Sequence, residues 1–260
     1  MGQHWYTKEG EPMHWVTGAN GKQRDTTLRD AKKLNLYPSV SGVSDQIDKP
    51  GLNNWKLNKL LYAALTLPRP EGISDDEFLK LVRDDAAREA EEAKLRGDLI
   101  HNCMEAIAMG IPKEFPEDVQ AIGDAAFGVV CDYTGTSRYE AEKTFASPLG
   151  YGGMVDLLTD EYDERYLIDH KTKDITDTQW ELYEAGKNPK IAWPNNCQQL
   201  VAYDHGLGNS GRRLVNVYID RSIVGRVIIH EWEGPIIDKE WKKFQHLLHH
   251  WQDDKGYRPE

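Results

Sequence analysis

Two acidic residues close two neighbouring apolar stretches of the chain. Asp156 follows "GGMV", and Asp169 follows "RYLI" thirteen residues later. If these stretches are strands joined by the loop "TDEYDE", they form a hairpin that could bring both carboxylates to one end of a sheet. Carboxylate oxygens are hard ligands that suit Mg²⁺ or Mn²⁺ better than a soft metal. The spacing therefore predicts a divalent-metal site.

Lys171 lies two residues after Asp169 in "RYLIDHKTKD". Alternate residues of a strand share a face, so Asp169 and Lys171 point one way while Ile168 and His170 point the other. Because unpaired buried charge is costly, this pair is expected to meet a cation, a phosphate or each other. A lysine that orients water beside a metal suits hydrolysis of a phosphodiester, in which the metal supplies hydroxide and neutralises charge on the phosphate.

These segments resemble a known family. "GGMVDLL" followed by "YLIDHKT" is similar to the D…DxK signature of the PD-(D/E)XK nuclease superfamily, in its RecB-like, phage-type exonuclease branch. "RGDLIH" resembles the helix motif that supplies a histidine ligand, here His101, and "YEAEKTF" stands where the family has its upstream glutamate strand. "QQLVAY" resembles the QxxxY helix, which puts Gln199 and Tyr203 one turn apart on one face.

The opening "YPSVSGV…KPGLNNW" is similar to the N-terminal segment of phage-encoded nucleases and of the mitochondrial genome maintenance exonuclease. The resemblance thus spans roughly residues 37 to 205. Taken together, the order and spacing of the motifs are more specific than any one of them.

The resemblance implies a set of site residues. One divalent ion would be held by His101, Asp156, Asp169 and the main-chain carbonyl of His170. Catalytic roles fall to Asp156, Asp169 and Lys171, with Glu142 serving a second ion or the attacking water and Gln199 and Tyr203 positioning the strand end or supporting the site. Two alternatives stay open: Glu140 shares a strand face with the preferred Glu142, and Gln198 competes with Gln199, which has the i to i+4 spacing to Tyr203.

The implied function is a divalent-metal-dependent DNA exonuclease in phage DNA replication, recombination or degradation. Two alternatives are a structure-specific or restriction-like endonuclease on the same core, and a non-catalytic DNA-binding recombination partner. Trp55, Lys56 and Lys59 are predicted to stack on and guide a single strand. A recombination or single-strand-binding protein is a candidate partner.

The composition argues against several other classes of protein. The 260 residues carry a formal net charge of −11, which argues against coating nucleic acid by bulk electrostatics but not against a local basic groove with bound metal. The three dispersed cysteines exclude a disulfide framework and make structural zinc unlikely. The iron–sulfur cluster of some relatives needs four cysteines, so none is predicted. The N-terminus lacks a secretion signal and no apolar run reaches spanning length, so we expect a soluble, cytoplasmic protein, in the host cytoplasm if it is phage-encoded.

The pattern predicts one α/β domain with a helical N-terminal half. The resemblance makes its core a PD-(D/E)XK, restriction-endonuclease-like one, with a central mixed sheet flanked by helices. The single nuclease domain of residues 1–260 divides into an N-terminal hairpin and basic segment (1–36), a helical part (37–134) and a sheet core with the catalytic motifs (135–260). Predicted helices cover 55–65, about 74–109, 117–133, 195–205 and 238–251. Predicted strands are "RYEAEKTF", "GGMVDLLT", "RYLIDHKT", "RLVNVYI" and "GRVIIHEW".

Overall fold

The computed structural model describes residues 4–47, 50–159, 165–208 and 211–260. The strands in these ranges are β1 (Trp5–Tyr6), β2 (Trp15–Thr17), β3 (Gln23–Asp25), β4 (Tyr37–Pro38), β5 (Glu140–Ser147), β6 (Tyr151–Thr159), β7 (Tyr166–Lys173), β8 (Arg213–Asp220) and β9 (Val227–Glu231). The helices are α1 (Leu28–Leu34), α2 (Val40–Ser44), α3 (Pro50–Thr66), α4 (Asp75–Met109), α5 (Glu117–Thr134), α6 (Asp177–Glu184), α7 (Pro194–Gly206) and α8 (Gly234–Lys255).

A five-stranded mixed sheet in the order β5-β6-β7-β8-β9 forms the centre of the described fold. Only the β7–β8 pair is parallel, because the chain crosses over through α6 and α7 between them. The prediction of an α/β fold with a central mixed sheet flanked by helices and a helical N-terminal half is confirmed. The predicted loop "TDEYDE" lies, apart from its first residue, outside the described residues.

The sheet is covered on both faces, which explains why the start of β7 and most of β8 consist of apolar residues. On one face Leu167 and Leu214 pack with residues of α2, α7 and α8. On the other face Ile168 and Val217 pack with the end of α4 and with α5. Asp169 follows the parity of Leu167, so it points toward α7.

Hydrogen bonds at the helix starts account for where several helices begin. Ser74 and Glu77 form a capping box at the start of α4, since Glu77 Oε2 accepts from the Ser74 amide and the Glu77 amide donates to Ser74 Oγ. Helix α3 begins at Pro50, before the predicted start at residue 55, because proline lacks the amide hydrogen that a first turn leaves unbonded. Helix α6 was not predicted, although Thr176 and Gln179 form a complete capping box.

The N-terminal hairpin, predicted as a strand pair between "HWYT" and "MHWVTG", is wrong, because these two segments pair with other strands. β1 pairs with β4, and β2 pairs with β3. The two predicted arms are joined by hydrogen bonds from the Met13 amide to the Trp5 carbonyl and from the Trp5 amide to His14 Nδ1, and Tyr6 forms a bridge to Pro12 just before the second arm. The physical reason is burial: Trp5 packs edge-on against Trp251 in the core, and this places its strand beside residues 37–38 rather than in a free hairpin.

The basic segment that follows is partly paired. Arg24 on β3 forms a bidentate ion pair with Asp30 on α1, at 2.6 and 2.8 Å. Lys32 donates to the carbonyl of Lys255 at 2.7 Å. Because Arg24 and Lys32 are already hydrogen-bonded within the protein, these contacts favour a solvated surface over a phosphate-binding site.

The contacts divide the chain into two compact units, residues 1–46 with 100–260 and residues 47–99. The second unit contains α3 and most of α4, and Lys59 on α3 forms an ion pair with Glu89 on α4. The organisation into one nuclease domain stays a prediction. No helix of the described chain is both long and apolar enough to cross a membrane.

Helix α7 packs closely on β5 through a glycine. A Cβ at Gly206 would overlap the ring of Phe145, whereas a Cβ at Gly128 on α5 would meet nothing within 4 Å. We therefore expect Gly206→Ala to lower the free energy of unfolding by about 1–3 kcal/mol through overpacking. Gly128→Ala, the matched helical control, should raise it by about 0.4–1 kcal/mol. Urea unfolding measures both, and an unchanged Gly206→Ala protein would mean that α7 does not pack this closely.

Candidate metal centre and active site

A cleft of roughly 290 Å³ opens beside β6 and β7 in the unit formed by residues 1–46 and 100–260. Seven of the predicted site residues line it: His101, Asp156, Asp169, His170, Lys171, Gln199 and Tyr203. Four residues of the N-terminal segment also line the cleft and are here called the N-terminal wall: His4, Tyr6, Ser39 and Ser41. A bridge between Ser39 and Gly152 places this wall next to β6.

The antiparallel pairing of β6 and β7 brings the two aspartates together. The register joins Leu157 to Ile168, and the next residues toward the cleft are Asp156 and Asp169. The His170 amide donates to Asp156 Oδ2 at 2.7 Å. The predicted convergence of the two carboxylates at one end of the hairpin is thus present in the structure.

Asp169 begins a chain of hydrogen bonds that runs into α7. Lys171 Nζ lies 2.8 Å from Asp169 Oδ1, 2.7 Å from Asp169 Oδ2 and 3.0 Å from Gln199 Oε1. Gln199 Nε2 in turn donates to Tyr203 Oη at 2.8 Å. Gln198 instead accepts from Ser44 Oγ at 3.0 Å, so the structure brings Gln199, and not Gln198, into this chain.

His101 and Glu142 approach Asp156 from the other side. His101 Nε2 lies 3.4 Å from Glu142 Oε1 and 3.6 Å from Asp156 Oδ1. Glu140 instead pairs with Lys143 at 2.6 Å, and its side chain is 55% exposed against 17% for Glu142. Of the two candidate upstream acids, the structure therefore places Glu142 next to His101 and opposite Asp156.

The backbone is irregular at this point of the sheet. Glu142 has a φ of 52°, a left-handed conformation that is uncommon for a non-glycine residue and that clusters at functional sites. It stands opposite Asp156, between the Ala141–Leu157 and Lys143–Val155 pairs. Val155 packs in the core cluster on one face and Leu157 in the cluster on the other, so the alternation of β6 is broken at Asp156.

Burial and mutual repulsion work against the charges of the two aspartates. Burial raises the pKa of Asp156, although the cationic His101 and Lys171 oppose this rise. Burial also raises the pKa of Asp169; Lys171 lowers it and the charge of Asp156 raises it further. The two carboxylates have too little positive charge around them, which is the condition that a bound divalent cation relieves.

The three basic groups of the site differ in charge. For Lys171, burial lowers the pKa, but the charges of Asp169 and Asp156 outweigh burial and raise it overall, so the ammonium stays protonated. Burial also lowers the pKa of His101, yet its hydrogen bond to Glu142 and the neighbouring carboxylates raise it to about 9. Burial and the charge of His101 lower the pKa of His170 to about 3, so its ring is neutral.

The donor set fits a hard divalent cation. Carboxylate oxygens of Glu142 and Asp156 lie 3.4 and 3.6 Å from His101 Nε2, and carboxylates with an imidazole are a mixture that suits Mn²⁺ or Mg²⁺. Ligand atoms of His101, Asp156 and His170 all lie within 4.8 Å of one another. The structure thus brings the imidazole ring of His170 to the site, whereas the resemblance implies that the main-chain carbonyl of His170 is the ligand. Within the described ranges, His170 Nε2 is buried and has no hydrogen-bond partner.

The predicted strand-guiding residues Trp55, Lys56 and Lys59 lie on α3, in the unit of residues 47–99. Lys59 Nζ lies 5.8 Å from the centroid of the Trp55 ring and forms an ion pair with Glu89. A strand that used Lys59 would have to displace this carboxylate. Their role in DNA binding stays a prediction.

Asn216 on β8 was not among the predicted site residues, yet it donates to Asp169 Oδ2 at 2.8 Å. A signal was present, because a single amide inside the apolar run "LVNVYI" is costly to bury unless it is hydrogen-bonded. Its partner could not be read from the sequence, since Asp169 lies on another strand across the α6–α7 connection.

No family model matches the chain, and no curated protein matches it. Among solved structures, an alkaline exonuclease (LHK-Exo) from Laribacter hongkongensis aligns with a TM-score of 0.37 and 18% identity, over 60% of this chain and 80% of that chain. The same enzyme in complex with dAMP aligns with a TM-score of 0.34 and 16% identity, over 76% and 88%. SSO0001 aligns with a TM-score of 0.34 and 14% identity, over 75% and 86%. Likenesses of this extent do not place the chain in a family or assign it an activity.

Binding of Mn²⁺ is expected to release a proton from His101. At about pH 7.5 an imidazole with a pKa of about 9 is protonated, whereas only the neutral ring coordinates a metal. Calorimetric titration in two buffers of different ionisation enthalpy measures the release. His101→Gln should bind more weakly and release about one proton fewer.

His205→Gln is the matched control, because His205 stacks on Trp241 and is not among the residues that line the cleft. It should leave the proton release unchanged. Equal release from wild type and His101→Gln would remove His101 from the ligand set.

Proposed function

We propose that this protein is a divalent-metal-dependent deoxyribonuclease of the PD-(D/E)XK type, acting as an exonuclease. The observation that carries the proposal is the convergence of Asp156, Asp169 and Lys171 in one cleft, with Lys171 Nζ bonded to both Asp169 and Gln199. Largely buried carboxylates beside a partly buried ammonium are costly in a protein with no use for them. Hydrolysis of a phosphodiester uses both.

The metal would be held by His101, Asp156, Asp169 and Glu142, with the carbonyl of His170 as a further oxygen. When bound, a divalent ion acts as a Lewis acid on the scissile phosphate and lowers the pKa of its bound water. The raised pKa values of Asp156 and Asp169 mean that their charge is easiest to maintain next to such an ion.

Lys171 would act as a cation rather than as a base. Its pKa is raised, so at neutral pH the ammonium has three hydrogens to donate and none of its nitrogen lone pair to offer. It can orient the attacking water and offset the negative charge that develops on the phosphate. Gln199 fixes the ammonium through its carbonyl oxygen, and the hydroxyl of Tyr203 fixes Gln199 through its amide.

The N-terminal wall offers contacts for the strand. Ser39 and Ser41 both line the cleft, and their hydroxyls lie 3.1 Å apart. Hydroxyls of this kind commonly hydrogen-bond sugar and phosphate oxygens and set the position of a nucleic acid without reading its sequence. Such contacts suit an enzyme that acts at any DNA end.

The choice of an exonuclease, and of the RecB-like, phage-type branch, rests on the sequence resemblance. The same resemblance supports a cytoplasmic role in phage DNA replication, recombination or degradation, with a recombination or single-strand-binding protein as partner. An endonuclease on the same core is the second candidate, and a protein that only binds DNA is the third. Retention of the whole set of His101, Asp156, Asp169 and Lys171 in one cleft favours catalysis over binding alone.

A cleavage assay tests the proposal. Linear single-stranded DNA labelled at either end, linear duplex and circular single-stranded DNA would each be incubated with Mg²⁺ or Mn²⁺ and with a chelator. We expect metal-dependent loss of the linear substrates, and the order in which the two end labels are released gives the polarity. Cutting of the circle would replace the exonuclease with the endonuclease, because a circle has no end. No cleavage of any substrate would contradict nuclease activity.

The roles of Lys171 and Asp169 are separable. Lys171→Ala should lower cleavage by at least about 10²-fold, since a donor to the developing charge is lost. Its affinity for Mn²⁺ should stay equal or rise, because removing the ammonium frees Asp169 from a competing cation. Asp169→Ala should lose both cleavage and tight metal binding, and Lys255→Ala, which breaks an exposed ion pair with Asp254, should lose neither.

Calorimetry with Mn²⁺ and the end-labelled assay give the two readouts. Collapse of metal binding in Lys171→Ala would make Lys171 a structural partner of the carboxylates. Retained turnover in Asp169→Ala would remove Asp169 from the site.

A further inference from the structure

Asn216 lies on β8 directly beside Asp169. The two residues are register partners in the parallel β7–β8 pair. Asn216 is fully buried, with 0% of its surface exposed. A buried amide carries two donors and an acceptor, all of which need partners to avoid a desolvation penalty.

The hydrogen bonds of Asn216 leave its amide only one orientation. Trp232 Nε1 donates to Asn216 Oδ1 at 2.7 Å. The indole N–H is a donor and never an acceptor, so the oxygen of the amide must face Trp232. The amino group is thereby directed at Asp169, where it donates to Oδ2 at 2.8 Å and approaches the main-chain oxygen at 3.4 Å.

Asp169 is therefore held from two directions. Lys171 Nζ contacts both of its carboxylate oxygens, and Asn216 contacts Oδ2 from the neighbouring strand. Lys171 is a long, flexible side chain that is expected to move when a metal or a phosphate enters the cleft. Asn216 is locked by Trp232, so its contact with Asp169 persists through such a change.

We propose that Asn216, oriented by Trp232, is a positioning residue that fixes the Asp169 carboxylate for metal binding. This inference rests on the proposed function, because it concerns the metal ligand of the same site. Groups that hydrogen-bond a ligating carboxylate set its direction, and their loss typically weakens metal binding 10–100-fold. Asn216 touches neither metal nor substrate and acts through Asp169.

A purely structural role makes a different prediction. If Asn216 served only to satisfy the indole of Trp232 in the core, its replacement would lower the melting temperature and leave metal affinity unchanged. Metal affinity of the folded protein, measured beside thermal stability, therefore separates the two roles.

The test measures Mn²⁺ affinity by calorimetry in wild type, Asn216→Leu, Trp232→Phe and the double variant. Asn216→Leu keeps the approximate volume and removes the donor, and we expect its affinity to fall about 10-fold or more. Trp232→Phe leaves the amide free to turn, and a smaller loss of about 3-fold is expected. The double variant should bind as weakly as Asn216→Leu alone, because without the amide Trp232 has nothing to orient.

Tyr218→Phe is the matched control, since Tyr218 lies two residues further along β8 and its hydroxyl donates to Asn196 at 3.0 Å. It removes one hydrogen bond from the same strand and should change the melting temperature without changing Mn²⁺ affinity. If Asn216→Leu does not fold, Trp232→Phe alone decides the question.

Unchanged Mn²⁺ affinity in the folded variants, or losses that add in the double variant, would overturn the inference. A wild type that binds Mn²⁺ but cleaves no DNA would overturn the proposed nuclease while the affinities still decide the role of Asn216. A wild type that binds no Mn²⁺ would overturn both.

Discussion

The structure depends on one electrostatic constraint: two carboxylates on neighbouring strands must stay charged although they are buried and repel each other. Burial raises the pKa of Asp156 and of Asp169; the charge of Glu142 raises the pKa of Asp156 further, and the charge of Asp156 raises that of Asp169 further. The opposing charge comes from two directions. The end of α4 supplies His101 beside Asp156, and β7 itself supplies Lys171 beside Asp169. A divalent cation would complete the neutralisation, and phosphodiester hydrolysis is the chemistry for which such a site is suited.

Close backbone packing around β6 makes this arrangement possible. A Cβ at Gly153 would lie 2.8 Å from both the Phe145 and the Tyr203 rings, and a Cβ at Gly152 would lie 2.9 Å from Tyr6. The two glycines of "GGMVD" therefore let α7 and β1 approach the strand that carries Asp156. The left-handed backbone of Glu142 lies on the opposite strand at the same level, so the irregularities of the sheet are concentrated where the charges are.

Local pairing explains what could be predicted from the sequence. The β6–β7 hairpin needs only one short connection, and strand alternation places Lys171 with Asp169, so their proximity follows from spacing alone. The i to i+4 rule likewise favours Gln199 over Gln198 as the partner of Tyr203. Contacts between distant parts of the chain could not be predicted from local spacing. The pairing of β1 with β4 depends on burial of Trp5 against Trp251, and Asn216 reaches Asp169 only through the parallel β7–β8 pair. The positive φ of Glu142 has no signal in its residue type.

The most direct test of this account is the position of a bound metal in crystals grown with Mn²⁺, read from its anomalous scattering. The account predicts one strong peak within about 2–2.5 Å of carboxylate oxygens of Asp156 and Asp169 and of Nε2 of His101. A peak elsewhere, or no peak while Lys171 remains bonded to Asp169, would contradict a metal centre in this cleft and the nuclease mechanism built on it.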